Sequence, residues 1–305
     1  MHPVVRNSAP ARPANTQSFR WRQLTVSTPE KPSRFALDSF PDAPPEGDRW
    51  SSWDRSQHGP APRPDWVITS LGAVDADLGV LKTGKEADVH LVRRWVPDGT
   101  SSPAADTLLA AKRFRTHHHR LFHRDAGYLE GRRVRRSREM RAMARRTEFG
   151  KQLVSGQWAG AEFAALSELH TRGLPVPYPV QLDGREMLME FIGDPDGVAA
   201  PRLAAIRPGR ALLKDLFEQL YAALTLLAAA GWAHGDLSAY NVLVHATRVI
   251  IIDWPQVVDI IGNPQGFAFL HRDCHNISEW FTRQGLSVDG EVLFADLCAT
   301  AGTDR

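Results

Sequence analysis

Near the middle of the chain, Asp236 and Asn241 stand five positions apart in the segment His234-Gly235-Asp236-Leu237-Ser238-Ala239-Tyr240-Asn241, and a second carboxylate, Asp253, follows Asn241 by twelve residues. Phosphoryl transfer from a Mg²⁺-bound nucleotide needs a carboxylate beside the attacking hydroxyl and oxygen or amide ligands for the ion close by. One loop carrying an Asp and an Asn meets that need, the Asp facing the nucleophile and the Asn facing the metal. Asp253 closes the apolar run Ile250-Ile251-Ile252, a strand-like segment that would bring its carboxylate to the same ion. Each piece alone has a plainer explanation, since HGDLSAYN could be the turn that ends a helix and a strand-ending Asp is usually a turn residue. Their short separation joins them into one centre. The spacing follows the pattern H-R-D-x-x-x-x-N with Gly235 in place of the Arg, and Asp253-Trp254-Pro255 stands where that pattern has Asp-Phe-Gly. Proline fixes φ and removes an N–H, so this metal segment is expected to be stiffer than the glycine version.

Two further elements have to serve these residues. Lys112 ends the apolar strand-like run Leu109-Ala110-Ala111, a placement that sets an ammonium against the α- and β-phosphates. Such a lysine needs a carboxylate partner on the following helix. Glu162 in WAGAEFAALSEL is the first choice and Glu168 the second; six positions apart, they point about 240° away from each other around a helix. Upstream, Leu81-Lys82-Thr83-Gly84-Lys85-Glu86-Ala87-Asp88-Val89 lies between two strand-like runs, and the N–H groups of a tight glycine turn can cradle phosphates. It matches neither GxxxxGK[ST] nor GxGxxG, and by itself TGKEAD reads equally as an ordinary hairpin.

The organisation of the chain suits these elements. Residues 1–65 are rich in Pro, Ser and Arg, hold no helical or strand period, and are expected to be a disordered tail in which Trp21, Trp50 and Trp53 are stray aromatics or short docking anchors. Order is expected from Trp66 onward, with strands over 80–92, 108–114 and 187–191, a helix over 157–172 ending at Gly173, and a long amphipathic helix over 210–230 ending at Gly231. A short strand pair at 242–244 and 249–252 precedes a helical remainder. The fold class is therefore α+β: a small antiparallel-sheet N-lobe at about 66–190 with one helix, then a short helical C-lobe at about 194–305. A basic insert occupies 115–155; between residues 112 and 151 there are 14 Lys or Arg against 4 Asp or Glu.

Composition bounds the setting. The 305 residues carry a formal net charge of +2, too little for a global argument toward nucleic acid or membrane. Two cysteines, Cys274 and Cys298, make no disulfide framework, which fits a reducing cytoplasmic setting. The N-terminal residues lack the apolar core of a signal peptide, and the apolar stretch 222–233 is too short to span a bilayer. The triplet His117-His118-His119 and the pair Cys274-His275 lack partners at ligand spacing, and Cys274 is expected as a packed helix residue.

Taken in order, these segments resemble the RIO family of atypical protein kinases. TGKEADV looks like its phosphate loop, WAGAEFAALSELHTRGLPVPYPV its αC helix and following strand, MLMEFIG its hinge, HGDLSAYNVLV its catalytic loop, IIDWPQVVD its metal loop and RDCHNI its C-terminal signature. Six ordered motifs across roughly residues 66–285 make the resemblance specific. It implies a two-lobed kinase that passes phosphate from ATP to Ser or Thr hydroxyls, its own included. Asp236 would be the catalytic base, Asn241 and Asp253 the ligands of Mg²⁺ (with Mn²⁺ as the alternative ion), and Lys112, paired with Glu162, the phosphate lysine. Thr83, Gly84, Lys85, Glu86, Ala87 and Val89 would cover the nucleotide, and Met189, Glu190 and Ile192 would hold adenine. The family also implies phosphate transfer to the metal-loop Asp253, with ATPase turnover through an aspartyl phosphate. The basic insert suggests a bacterial, first-branch-like member, whereas Trp-Pro-Gln in the metal loop is closer to the second branch. Only 52 residues follow Asp253, without the Ala-Pro-Glu segment that frames a peptide groove, so the acceptor is expected to be the enzyme itself or a bound macromolecule. Arg132 to Arg146 could face RNA or a ribosomal partner, or be a solvated face. The alternatives are a small-molecule phosphotransferase of the aminoglycoside kind, which shares HGDxxxxN but has a larger acceptor lobe, and an ATP-gated RNA- or ribosome-binding module.

Overall fold

The computed structural model describes residues 43–97, 106–115, 148–254 and 257–304. Seven strands form one antiparallel sheet: β1 (Arg49–Trp50), β2 (Gln57–His58), β3 (Val74–Thr83), β4 (Ala87–Trp95), β5 (Asp106–Phe114), β6 (Pro179–Asp183) and β7 (Glu186–Glu190), in the order β1-β3-β4-β5-β7-β6-β2. Helix α1 (Glu148–Thr171) packs on one face. The C-terminal part is built on α2 (Arg210–Ala229), α3 (Gly266–Arg283) and α4 (Gly290–Thr300). Four short strands, β8 (Trp232–Ala233), β9 (Val242–His245), β10 (Arg248–Ile251) and β11 (Val258–Asp259), pair as β9 with β10 and β8 with β11.

The alternation along β5 explains how the sheet serves two purposes. Lys112 and Phe114 point toward α1, whereas Leu109 and Ala111 point to the far face and join a core with Trp53, Val67, Val92, Tyr178, Val180 and Leu188. That far face needs a cover, and the segment from β1 to Val67 supplies it. This corrects the expectation of a disordered tail up to residue 65. Trp53 is buried against the sheet and stacked on His58 at 3.8 Å between ring centroids, and β1 and β2 close the sheet at its two edges. Beneath the cover, Arg94 is fully buried, with Nε and Nη2 donating to Asp75 at 2.7 and 3.0 Å and Nη1 to Gln181 at 2.7 Å. Gln181 in turn donates to Ser52 at 2.8 Å. Trp21 and most of the basic insert, including Arg132 to Arg146 and the histidine triplet, lie outside the described residues.

The C-terminal part is organised by helical periodicity. Leu213, Leu216, Leu220, Ala223, Leu224 and Leu227 line one face of α2 and form the centre of a core shared with α3 and α4. Gly231, at φ +79°, stops the helix in the left-handed region that glycine adopts without strain. The core continues into the sheet lobe through Phe163 and Leu166 of α1 and Met187 of β7. Among the described residues, no helix is long and apolar enough to cross a membrane.

Candidate active site

The strands and α1 bring the two halves of the first charge pair together. Lys112 Nζ donates to Glu162 Oε1 at 2.5 Å and Oε2 at 2.7 Å. Glu168, the fallback partner, instead pairs with Arg172 along the helix surface. Glu162 is fully buried, and burial pushes its carboxyl above the ordinary range, opposed by Lys112 and by the Trp254 N–H. Burial acts against the charge on Lys112 as well, but Glu162 and Asp253 outweigh it and hold the ammonium above the usual lysine range. Glu162 takes two of the ammonium's three donors at short range, and the third faces Asp253 at 3.5 Å.

Asp253 completes this cluster from the other lobe. Its Oδ1 lies 3.5 Å from Lys112 Nζ and its Oδ2 lies 4.0 Å from Lys82 Nζ. Both contacts are long, so the carboxylate is oriented without being locked. Its backbone sits at φ +67°, an uncommon conformation for a residue with a side chain. What fixes it is its neighbour: Trp254 is fully buried, its indole N–H donates to the Ile251 carbonyl at 3.0 Å, and its ring lies 4.4 Å from that of His234. Pro255, expected to stiffen this loop, lies outside the described residues.

The catalytic loop is fastened to the same strand end at two points. His234 Nε2 pairs with the Ile252 carbonyl at 3.1 Å, and the Ile252 N–H donates to the Asn241 carbonyl at 2.9 Å. The side-chain Nδ2 of Asn241 donates to the Asp236 carbonyl at 2.9 Å. That bond uses the amide's donor end and leaves Oδ1 for a cation. Asp236 itself is exposed at the mouth of the loop, with no side-chain partner among the described residues. The Asn241 amide oxygen and the loosely held Asp253 carboxylate are hard oxygen donors of the kind Mg²⁺ takes. Among the described residues no group of three or more His, Cys, Asp or Glu could hold a metal, so the remaining ligands would be phosphate oxygens and water.

Helix α3 holds the loop from behind, a role that sequence reasoning did not assign. Asp273, almost fully buried, accepts the N–H of Gly235 at 2.7 Å and of Leu237 at 2.8 Å. Arg272 donates to the Gly235 carbonyl, and Asn276 to the Leu237 carbonyl at 3.1 Å. The backbone on both sides of Asp236 is thus clamped. Gly235 lies at φ +83°, which accounts for glycine where the kinase pattern has Arg. The available signal was the spacing 272, 273 and 276, which places all three on one helix face. Next to them, burial pushes the Cys274 thiol up to about 12, and the residue packs in the core. We expect Asp273→Ala to orphan two backbone amides at a cost of about 1–3 kcal/mol each. Denaturant unfolding should show the loss and turnover should fall, while nucleotide affinity, carried by Lys112 and Glu162, should persist. Undiminished turnover would contradict the clamp.

The remaining predicted residues lie on or next to β3, β4 and β7. Thr83 ends β3, the turn runs through Gly84, Lys85 and Glu86, and Ala87 and Val89 lie on β4. The Gly84 N–H donates to the Ala87 carbonyl at 3.0 Å, and a Cβ on Gly84 would come within 2.8 Å of that oxygen, so the turn requires glycine. Met189 and Glu190 end β7, and Ile192 follows. The Glu190 N–H and carboxylate are both taken up by Tyr178, and the Ile192 carbonyl accepts from Ala200.

A seven-stranded sheet with one helix carrying a Lys–Glu pair, joined to a helical lobe whose loop presents Asp, Asn and a second Asp, is a kinase arrangement, and sequence comparison specifies which. The RIO domain matches residues 106–293. The chain belongs to the RIO family of serine/threonine-protein kinases. The RIO-type serine/threonine-protein kinase Rio1 of Haloferax volcanii is 32% identical over 241 residues, covering 78% of this chain and 74% of the relative. RIO3 of Bos taurus is 32% identical over 230 residues, covering 72% of this chain but only 41% of its own length. Crystal structures of the Rio2 kinase from Chaetomium thermophilum share the fold. One is an ADP/Mg²⁺-phosphoaspartate complex with TM-score 0.51 and 23% identity, covering 72% of this chain and 60% of that one. The other, also at 0.51 and 23%, covers 75% and 64%. The aminoglycoside-type alternative gives way to this RIO-family match.

Proposed function

We propose that this RIO kinase uses Asp253 as a phosphate acceptor as well as a metal ligand, so that ATP is turned over through an aspartyl phosphate alongside transfer to Ser or Thr hydroxyls. One observation carries this: Asp253 sits between the ammonium groups of Lys112 and Lys82 with neither contact short, a carboxylate flanked by two cations suited to a phosphoryl group. Lys112, held by Glu162, takes the α- and β-phosphates. Adenine recognition falls to the hinge backbone around Glu190 and Ile192. Asn241 and Asp253 hold Mg²⁺, which when bound neutralises charge developing on the phosphates; Mn²⁺ would suit the same oxygen donors. Asp236 accepts the proton of an attacking hydroxyl or water. The resemblance of the Rio2 phosphoaspartate complex supports the acceptor role by analogy of fold. The acceptor protein is the kinase itself or a macromolecule bound to it, and the basic stretch Arg132 to Arg146 suits an RNA or ribosomal partner.

The test is incubation of the purified chain with γ-labelled ATP and Mg²⁺, with and without cell extract, followed by chemical typing of the labelled bonds. Label released by hydroxylamine identifies an acyl phosphate, and label stable to it identifies Ser or Thr esters. Protein that hydrolyses ATP yet never carries hydroxylamine-labile label would overturn the Asp253 assignment.

A further inference from the structure

Lys82 lies in the glycine-turn segment read from the sequence but has no role assigned there, and the sheet register shows where it is placed. On β3, Val80 pairs with His90, but Lys82 pairs with Val89, so two β3 residues span one step of β4. This bulge has a definite consequence. Had the register of Val80 continued, Lys82 would stand opposite Asp88 and point to the other face. With the extra residue, Lys82 stands opposite Val89, and Val89 stands opposite Lys112 on β5. Residues directly opposite each other across strands share a face, so Lys82, Val89 and Lys112 form one row across three strands on the face that looks at the metal loop. Both lysines of the row reach Asp253, from opposite sides: Lys112 to Oδ1 at 3.5 Å and Lys82 to Oδ2 at 4.0 Å.

The two lysines differ in what else they hold. Lys112 is bound at short range by both oxygens of buried Glu162, whereas Lys82 is 45% exposed and its ion-pair partner among the described residues is Asp253. A partly exposed ammonium beside a carboxylate contributes little to stability. It becomes useful when the charge at that carboxylate grows. In the array of Lys82, Lys112, Glu162 and Asp253 the charges balance. Transfer of a phosphoryl group to Asp253 replaces one negative charge there with nearly two, and Lys82 is the cation free to follow it.

We infer that Lys82 is a phosphoryl-binding residue that stabilises the phosphoryl group as it passes to Asp253 and remains there. This rests on the aspartyl-phosphate assignment above. In the step, an Asp253 oxygen forms a bond to the γ-phosphorus while the bond from that phosphorus to the β,γ-bridging oxygen breaks. ADP leaves with the electron pair, and no proton moves. Hydrolysis then adds a water oxygen to phosphorus, releases the Asp253 carboxylate with its electron pair, and passes one water proton to Asp236.

The experiment compares wild-type chain, Lys82→Ala and Lys82→Arg for the rate of forming hydroxylamine-labile phosphoenzyme from γ-labelled ATP and for ADP affinity by calorimetry. Loss of one charged hydrogen bond to the transferring group should slow phosphoenzyme formation about ten- to a hundredfold in Lys82→Ala. Lys82→Arg should restore most of the rate, and ADP affinity should stay unchanged in both, because ADP lacks the group that Lys82 holds. Formation at the wild-type rate in Lys82→Ala would reduce Lys82 to a surface ion pair and overturn the inference. An equal loss of ADP affinity would make it a nucleotide-binding residue and also overturn it. If the wild type forms no acyl phosphate, the Asp253 assignment itself fails, an outcome distinct from the other two.

Discussion

Asp253→Asn is expected to abolish the hydroxylamine-labile phosphoenzyme and to lower ATP turnover by roughly 10³-fold or more, the scale seen when a nucleophile is removed. The amide keeps the shape of the carboxylate but neither its charge nor its nucleophilic oxygen. The fold should not suffer. Asp253 sits at φ +67°, and Asn is one of the few residues that adopts that region readily. Lys112 keeps its two bonds to Glu162, so the sheet lobe retains its internal pair. The measurements are labelled-phosphate trapping, steady-state ATP hydrolysis and thermal unfolding on the same preparation. Acyl-linked label persisting in the variant would place the phosphate on another carboxylate.

Asp236→Ala is expected to lower turnover by roughly 10²- to 10⁴-fold, the usual range for a lost general base, with ATP binding retained. The side chain is exposed and its loop is held by backbone contacts, to Asn241, to His234 and, through its neighbours, to Asp273. Truncation therefore removes chemistry without removing packing. The two carboxylates should also be separable by their effects on label. A carboxylate nucleophile has no proton to lose, so Asp253 can be phosphorylated without a base, whereas water or a hydroxyl needs one. Asp236→Ala should consequently accumulate acyl phosphate while losing release of inorganic phosphate and transfer to Ser or Thr. Full activity in this variant would refute the assignment of the base.

The site was legible in the sequence where its residues are close along the chain. Asp236, Asn241 and Asp253 fall within eighteen positions, and a loop followed by a strand end brings them together with no long-range information. Lys112 and Glu162 were legible through element type, one lysine on an apolar strand and one carboxylate on the correct side of a helix. The bulge at Val80/Lys82 was not, because its register is set by pairing between strands rather than by local composition. The clamp from Arg272, Asp273 and Asn276 was visible as a motif but had no assignable target, since its partners are backbone groups more than thirty-five residues away. The cover formed by residues 49–67 escaped notice for another reason. Two-residue strands and a single helical turn are too short to generate a period, and what orders them is the apolar far face of a sheet assembled later in the chain. A Pro-rich composition is not disorder when there is a surface to lie on.

Trp254 bears on how such an enzyme can be controlled and inhibited. In ordinary kinases the packing of the residue after the metal aspartate sets the active or inactive state. Here that residue is fully buried, its indole bonded to the strand below it and packed on His234, while its backbone N–H faces the Glu162 carboxylate. Swinging Asp253 outward would expel the largest fully buried side chain among the described residues and strip a contact from the Lys112 partner. Burial of that side chain favours the inward setting, so an inhibitor that works by occupying the vacated pocket has first to displace it. Drug-like selectivity over other kinases has to be sought at the phosphate end of the cleft, where Lys82 and Asp253 present charges that a nucleotide mimic can address.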